Sequence, residues 1–202
     1  ASVTVVENAL PNAGSNGSVT LCSTEPPLNL FSRLGGTPNA GGTWSPGDPS
    51  GVYNPASSDP GTFTYTLTGT APCPNASANV VVNENPAPNA GTNGTITVCS
   101  GTSSVPLFPG LGGGPDAGGT WTALDNINPG SLSAGTFFCT GVAPGNYDFR
   151  YSLPGNGQCP PDQAEVRVTI TAALDAGSDG TVQACRSNTA FNLFSGLGGA
   201  PQ

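Results

Sequence analysis

The 202-residue sequence contains no lysine, histidine or methionine, and its only basic side chains are four arginines. Histidine is the commonest general base and metal ligand, so its absence excludes Ser-His-Asp and Cys-His catalytic sites. The absence of lysine excludes Schiff-base catalysis and Lys–Asn isopeptide crosslinks. No pair of carboxylates suits glycoside hydrolysis. The sequence therefore predicts a protein that is not an enzyme and that holds no cofactor.

Charged residues are also scarce, at 8% of the chain, and acids outnumber bases by 12 to 4. A net charge of −8 repels phosphate backbones and anionic lipid surfaces. No apolar run approaches the roughly 18 residues that a membrane span needs, and residues 1–10 lack the basic region of a signal peptide. We expect no nucleic acid and no membrane contact for this segment, with any export signal or anchor elsewhere.

Glycine and proline are abundant, with 30 and 21 residues, close to the level of low-complexity disordered chains. Against disorder stand two tryptophans, eight phenylalanines, four tyrosines and several Val-rich alternating runs. Such residues bury enough apolar surface to offset the loss of chain entropy. The composition therefore predicts many short strands joined by Gly/Pro turns.

An internal repeat dominates the sequence. Its opening motif occurs three times, at Asn12-Ala13-Gly14, Asn89-Ala90-Gly91 and Asp175-Ala176-Gly177, and an alternating strand that ends in cysteine follows each copy. The second copy begins 77 residues after the first, and the third begins 86 residues after the second. Recurrence of a motif at a spacing of about 80 residues is typical of arrays of similar small domains.

This period divides the chain into four parts. Residues 1–8 match the last strand of the first full copy and are predicted to end a preceding repeat. Two complete repeats span 9–85 and 86–171, and 172–202 begins a third. The longer second copy has its extra residues in two places, chiefly between Trp121 and Phe137, as expected for surface loops on a constant framework. We interpret the chain as a window cut from a longer array.

The strand candidates of the first repeat are Ser18–Cys22, Leu28–Phe31, Gly42–Ser45, Val52–Tyr53, Thr62–Thr68 and Ala76–Asn83. Six or seven short strands per repeat, with frequent turn signals, are typical of a two-sheet antiparallel sandwich. The predicted fold class is all-β, with tandem immunoglobulin-like antiparallel β-sandwich repeats and one disulfide in each repeat.

The cysteines indicate an oxidising compartment. Each complete repeat has one early and one late cysteine, which predicts the bridges Cys22–Cys73 and Cys99–Cys159. Cys185 is the early cysteine of the third repeat. Cys139 has no counterpart in the first repeat, and we expect a buried free thiol there, with a bridge to a neighbouring repeat as the alternative. A zinc site is disfavoured because there is no CxxC pair and no histidine.

The GGTW motif and the alternation of apolar residues along the strands predict core residues: Trp44, Trp121, Phe63, Tyr65, Tyr147 and Phe149. Stacking of Trp44 and Trp121 on sugars is the alternative role. The glycines near them lack the lysine of a phosphate loop and indicate turns. A Ca²⁺ site formed by Asp175 and Asp179 is a weaker alternative, because their counterparts in the other copies are neutral asparagines. Otherwise we expect no metal.

Taken together, the motifs NAG(S/T)NG, LFxxLGGxPxAGGTW and PGTFTYTLTGTAPCP, followed by a Val-rich strand and NPAPNAG, resemble the immunoglobulin-like repeats of large Bacteroidota surface proteins. That resemblance covers essentially the whole chain. It implies a protein exported by the type IX secretion system, of the kind that includes gliding-type adhesins. The second repeat departs from the pattern in its longer loop from Trp121 to Phe137 and in Cys139, so the repeats need not share one role.

These observations predict a structural segment of a long secreted adhesin or filament at the cell surface, acting as a rigid stalk. Its partners would be the neighbouring repeats of the same chain. One alternative is a glycan-binding module that uses the variable loop from Ala123 to Thr136 and nearby aromatics to hold a surface ligand. Another is a self-assembling extracellular fibre in which residues 1–8 pair with a second subunit.

Overall fold

A computed structural model describes residues 1–127, 131–186, 190 and 192–199. Over those residues the secondary structure consists of thirteen β-strands and short 3-10 turns, without an α-helix. The strands are two to ten residues long and alternate with Gly- and Pro-rich turns. The predicted all-β class is confirmed.

The chain forms two compact units. The first comprises Ala1–Ala90 together with Leu153–Asp162, and the second comprises Gly91–Ser152 together with Gln163–Gln202. The ten-residue segment Leu153–Asp162 therefore belongs to the first unit, although the sequence repeat assigns it to 86–171. The repeat limits at 9–85, 86–171 and 172–202 stay predictions.

The first unit contains six strands: β1 (Gly17–Cys22), β2 (Leu28–Asn29), β3 (Thr43–Ser45), β4 (Val52–Tyr53), β5 (Gly61–Leu67) and β6 (Ala76–Asn85). They form a four-stranded sheet in the order β1-β6-β5-β3 and a two-stranded sheet of β2 and β4. Adjacent strands β3, β5 and β6 are antiparallel, as in the C-F-G sheet of an immunoglobulin-like sandwich.

The first strand departs from the antiparallel pattern. β1 pairs with β6 in parallel, in a register that sets Gly17 opposite Val80 and Cys22 opposite Asn85. Strands β2 to β5, which lie between β1 and β6 in sequence, provide the long crossover connection that a parallel pair requires. The carboxyl ends of both strands therefore lie together at the same end of the sheet.

The core of the first unit lies between its sheets. Strict alternation along β5 buries Phe63, Tyr65 and Leu67, while Thr62, Thr64 and Thr66 face outward. β6 adds Val80 and Val82, both almost inaccessible to solvent. Leu30, which directly follows β2, and Tyr53 of β4 complete the core cluster.

The second unit contains seven strands: β7 (Gly94–Cys99), β8 (Ser104–Pro106), β9 (Thr120–Ala123), β10 (Leu132–Ser133), β11 (Thr136–Phe138), β12 (Gly145–Leu153) and β13 (Asp162–Thr171). The larger sheet, β7-β13-β12-β9, repeats the order of the first unit. β7 is again parallel to the last strand, with Gly94 opposite Val166 and Cys99 opposite Thr171. The extra residues of this repeat add β10, which extends the smaller sheet to β10-β11-β8.

The opening motif has the same backbone in all three copies. A short bridge joins Ser15 to Gly35, Thr92 to Gly112 and Ser178 to Gly198. The glycine just before each bridge has a positive φ, between 80° and 89°, a conformation that L side chains rarely adopt. The third copy therefore begins as the other two do.

Residues 1–10 form no strand in the structure, and Val3 and Val5 are almost fully exposed. Their counterparts at a distance of 77 residues, Val80 and Val82, are buried in β6. The assignment of 1–8 as the last strand of a preceding repeat stays a prediction.

Candidate functional site

The structure contains a disulfide between Cys22 and Cys159, with their Cα atoms 4.9 Å apart. Cys22 ends β1 and is completely buried. Cys159 lies in the connection between β12 and β13, within the segment that joins the first unit. We call the bridge and the residues around it the disulfide joint.

Asn85, the last residue of β6, lies at the centre of the joint. Its carbonyl oxygen accepts a hydrogen bond from the Ser23 amide at 3.0 Å, and Cys159 Sγ lies 3.3 Å from the same oxygen. Asn156 Nδ2 donates to the carbonyl of Pro86 at 2.8 Å, and Asp162 Oδ2 accepts from the Ala90 amide at 2.7 Å. These bonds fasten the segment Leu153–Asp162 on both sides of the bridge.

The joint corrects the predicted bridges Cys22–Cys73 and Cys99–Cys159. Because β1 runs parallel to β6, Cys22 lies at the carboxyl end of β6, whereas Cys73 precedes the amino end of that strand. A ten-residue strand spans about 30 Å, and a disulfide needs Cα atoms within about 7 Å. The same reason separates Cys99 from Cys159 at the two ends of β13.

The remaining cysteines are free. Cys99 and Cys185 are exposed, and Cys73 is partly buried. Cys139 is 5% exposed; its thiol lies 3.7 Å from the Phe137 carbonyl, and burial raises its pKa. A raised pKa leaves less of the reactive thiolate.

The aromatic core differs between the two units. In the first, Trp44 is 5% exposed and its ring centroid lies 5.2 Å from that of Tyr65. The hydroxyl of Tyr65 donates to the Asn39 carbonyl at 2.7 Å and accepts from the Gly42 amide at 2.8 Å. The buried Tyr65 hydroxyl thus has both an acceptor and a donor as partners.

In the second unit Tyr151 takes the position of Tyr65, at 5.0 Å from Trp121 and with matching bonds to Asp116 and Gly119. The sequence prediction chose Tyr147 and Phe149 for this core. Phe149 is fully buried, whereas Tyr147 is half-buried and packs against Phe137. Tyr151 was not among the chosen core residues, although alternation along β12 places it on the same face as Phe149.

Trp121 is half-buried and forms the floor of a groove of about 670 Å³ in the second unit. The side chains of Phe108, Tyr151, Leu132 and Thr136 line it, with the backbone of Gly118 and Gly119. We call this the aromatic groove. The corresponding depression of the first unit, around Trp44, measures about 180 Å³.

The insertion in the second repeat accounts for the difference. The hairpin of β10 and β11 turns through Ala134 and Gly135, both with positive φ, as a two-residue hairpin turn requires. A Cβ on Gly135 would lie 2.9 Å from the Trp121 ring, so only glycine allows this approach. The hairpin forms one wall of the aromatic groove. Residues 128–130 of the predicted variable loop lie outside the described residues.

Asp175, one of the two possible calcium ligands, makes a local hydrogen bond in its own turn. Asp175 Oδ1 accepts from the Gly177 amide at 2.8 Å, as Asn12 Oδ1 accepts from Gly14 in the first copy. Within the described ranges no three Asp, Glu, His or Cys residues come together as a metal site would require. In the same part of the chain, none of the helices is long and apolar enough to cross a membrane.

No family model matches the sequence, and no curated protein matches it. Solved structures that are similar include the insect immune protein hemolin, at 13% identity and a TM-score of 0.45, covering 83% of this chain and 48% of hemolin. The titin I-band fragment I67–I69 has 15% identity and a TM-score of 0.42, covering 79% and 64%. Extracellular domains 3–5 of Drosophila OTK have 14% identity and a TM-score of 0.35, covering 77% and 60%. This chain thus spans about half the length of hemolin.

Proposed function

We propose that this chain is a load-bearing segment of a long extracellular surface protein, in which sandwich repeats form a stalk. The observation that carries the proposal is the Cys22–Cys159 bridge. A buried disulfide of this kind forms and persists in oxidising compartments, such as the cell exterior. The likeness of the repeat motifs to Bacteroidota surface proteins supports the same location, and type IX export is part of the proposal.

The bridge determines which part of the chain can be extended by tension. When a pulling force acts on the two termini, it passes from residue 22 directly to residue 159 through the sulfur atoms. The enclosed stretch has a sequence separation of 137, which corresponds to about 480 Å of fully extended chain at about 3.5 Å per residue. This length is held back while the bridge is intact, which is the property that a stalk under load requires.

Single-molecule force spectroscopy on the full chain, held at Ala1 and Gln202, tests the mechanical role. We expect unfolding under oxidising conditions to release only residues outside the enclosed stretch. Addition of a reductant should then release about 480 Å more. Equal total extension with and without reductant would show that the bridge bears no load.

The location of the segment in the native protein needs a separate test. Gold-labelled antibodies against residues 1–202, applied to intact unfixed cells, should label thin projections at a distance from the cell envelope. Label confined to the cell interior would contradict the proposal. A native surface polymer built from subunits of this size would instead favour the fibre alternative.

A second candidate function is glycan binding in the aromatic groove. The groove is concave, and three aromatic residues and two threonines are among the residues that line it, which are features of a small-ligand site. The insertion that deepens it is specific to the second repeat, so a binding role would belong to that repeat alone.

Glycan-array binding by the full chain tests this second candidate. Phe108→Ser removes an exposed ring that lines the groove, and Phe138→Ser removes a comparably exposed ring that does not. We expect binding to fall at least tenfold in the first variant and to be unchanged in the second. Absence of binding, or an equal loss in both variants, would exclude the groove as a glycan site.

A further inference from the structure

Cys99 occupies an uncompleted copy of the disulfide joint. It lies opposite Thr171 at the carboxyl end of β13, as Cys22 lies opposite Asn85. The next amide, of Ser100, donates to the Thr171 carbonyl at 2.7 Å, as Ser23 donates to Asn85 at 3.0 Å. This half of the joint is therefore already in place around Cys99.

The side chain of Ser100 reproduces one more bond. Ser100 Oγ accepts from the Ala173 amide at 2.8 Å, and Ser23 Oγ accepts from Ala87 at 2.9 Å. The chain thus leaves the sandwich by the same path at both places. What differs is exposure: Cys22 is completely buried in the joint, whereas Cys99 is exposed.

Cys73 has surroundings like those of Cys159, the other cysteine of the disulfide joint. Its Sγ lies 3.5 Å from the Asn8 carbonyl, as that of Cys159 lies 3.3 Å from Asn85. The Nδ2 atom of Asn8 donates to the Ala71 carbonyl at 2.9 Å. Asn85 Nδ2 makes a similar but longer bond, of 3.4 Å, to the Asn156 carbonyl. That acceptor lies three residues before its cysteine, whereas Ala71 lies two residues before Cys73.

The backbone around Cys73 also matches. Its amide donates to the Thr70 carbonyl at 2.9 Å, and that of Cys159 donates to Asn156 at 3.2 Å. The loop of the first repeat thus shares this turn bond with the loop that forms the bridge, while its thiol is free.

We propose that Cys73 and Cys99 are half-cystines of further joints, so that a disulfide ladder connects all successive repeats of this type. The rule is that the early cysteine of each repeat bonds to the late cysteine of the next repeat. The partner of Cys99 is then the late cysteine of the repeat that begins at 172, and the partner of Cys73 is the early cysteine of a repeat that precedes it.

Each bond forms by oxidation of two thiols. The two sulfurs join, and their two protons and two electrons pass to a disulfide oxidant such as oxidised glutathione, which becomes two molecules of glutathione. Successive closed loops overlap, because Cys99 lies within the stretch closed by Cys22 and Cys159. In such a ladder almost every residue is enclosed by at least one bridge, whatever the array is used for.

The test uses the full chain, extended so that its third repeat is complete. A second copy of residues 117–171, added directly after Gln202, continues the register of the repeat and supplies a late cysteine. Gln163→Asn in the added copy marks its peptide by mass at an exposed position. After refolding in a glutathione buffer, free thiols are alkylated, and bridges are mapped by peptic digestion at acid pH, where thiolates and therefore disulfide exchange are scarce.

We expect two bridges in this extended chain: Cys22–Cys159, and Cys99 with the marked cysteine, while Cys73 is alkylated. The variant Cys99→Ser should lose the second bridge and leave the marked cysteine alkylated. The matched variant Cys139→Ser should retain both bridges. A marked cysteine bonded to Cys185, or alkylated in molecules that contain Cys22–Cys159, would overturn the proposal at this end.

A second chain tests the other half independently of how the added segment folds. A second copy of residues 9–77, placed directly before Ala1, completes a preceding repeat and supplies an early cysteine. We expect that cysteine to bond to Cys73 and to leave Cys99 alkylated. If neither extended chain forms its new bridge while Cys22–Cys159 forms in both, the ladder does not exist. Neither result depends on the force or labelling experiments.

Discussion

Cys22 and Cys159 are separated by 137 residues in sequence, yet their Cα atoms lie 4.9 Å apart. The parallel pairing of β1 with β6 brings Cys22 to the end of the sheet where Asn85 leaves it, and the Leu153–Asp162 segment packs there. The bridge therefore connects a strand of one sequence repeat to a loop of the next. Covalent continuity between the two repeats therefore does not depend on the main chain at Pro86 and Pro88 alone.

The bridge should contribute strongly to stability. The chain-entropy treatment gives about 5 kcal/mol for a loop of this length, and measured bridges typically contribute about 2–4 kcal/mol. We expect the double variant Cys22→Ser, Cys159→Ser to lower the free energy of unfolding by about 2–4 kcal/mol in urea titrations without reductant. The matched double variant Cys73→Ser, Cys99→Ser should change it by less than about 0.5 kcal/mol. An equal loss in both variants would contradict the assigned pairing.

The free thiols should react at different rates. Cys99 is exposed, whereas Cys139 is buried and burial raises its pKa, so Cys139 presents little thiolate near pH 8. We expect iodoacetamide to modify Cys99 within minutes and Cys139 only after unfolding in urea. Mass spectrometry of samples quenched at successive times measures both rates. Equal rates in the native protein would show that Cys139 is accessible.

Tyr53 should stabilise the first unit through its hydroxyl. The ring is fully buried, and the hydroxyl donates to Glu84 Oε2 at 2.8 Å and lies 3.2 Å from the Ser58 carbonyl. We expect Tyr53→Phe to cost about 1–2 kcal/mol, because a hydrogen bond to a charged group is lost. Tyr147→Phe, which removes an exposed hydroxyl bonded to Ala143, should cost less. Urea midpoints compare the two variants.

Tyr53 should also make stability depend on alkaline pH. Burial, followed by the bond to Glu84, raises the pKa of Tyr53 well above its ordinary value of about 10. The folded state therefore retains the proton while the unfolded chain releases it, and this part of the stability is complete below pH 10 and falls as the pH rises further. Chemical denaturation from pH 8 to 11 should show a decline that is smaller in Tyr53→Phe. Identical pH profiles would contradict the assignment.

The two tryptophans should differ in their contribution to stability. Trp44→Ala empties a buried site and should cost about 3–5 kcal/mol. Trp121 is half-buried on the floor of the aromatic groove, so Trp121→Ala should cost roughly 1–2 kcal/mol. Urea unfolding followed by the fluorescence of the remaining tryptophan measures each loss. A larger cost for Trp121 would show that the groove is part of the core.

Local patterns in the sequence predicted most of the strands. The alternation of Phe63, Tyr65 and Leu67 with threonines located β5, and the observed strand Gly61–Leu67 differs by one residue at each end. The strand predicted at Leu28–Phe31 ends at Asn29, and Leu30–Arg33 forms a 3-10 turn, because the Asn29 side chain caps this turn by accepting a bond from the Phe31 amide. The aromatic groove was anticipated only through the variable loop. Phe108 and Tyr151 join it through packing across strands.

The repeat period, the scarcity of charge and the alternation of apolar residues were enough to establish an all-β array of like domains, because each of these properties is local or periodic along the chain. The partner of each cysteine was decided only in three dimensions. The presence of one early and one late cysteine in each repeat suggested internal bridges, but strand direction places Cys22 and Cys73 at opposite ends of β6. Whether a first strand runs parallel or antiparallel to a last strand leaves no mark on the alternation of its side chains, and that direction determines which sulfurs meet.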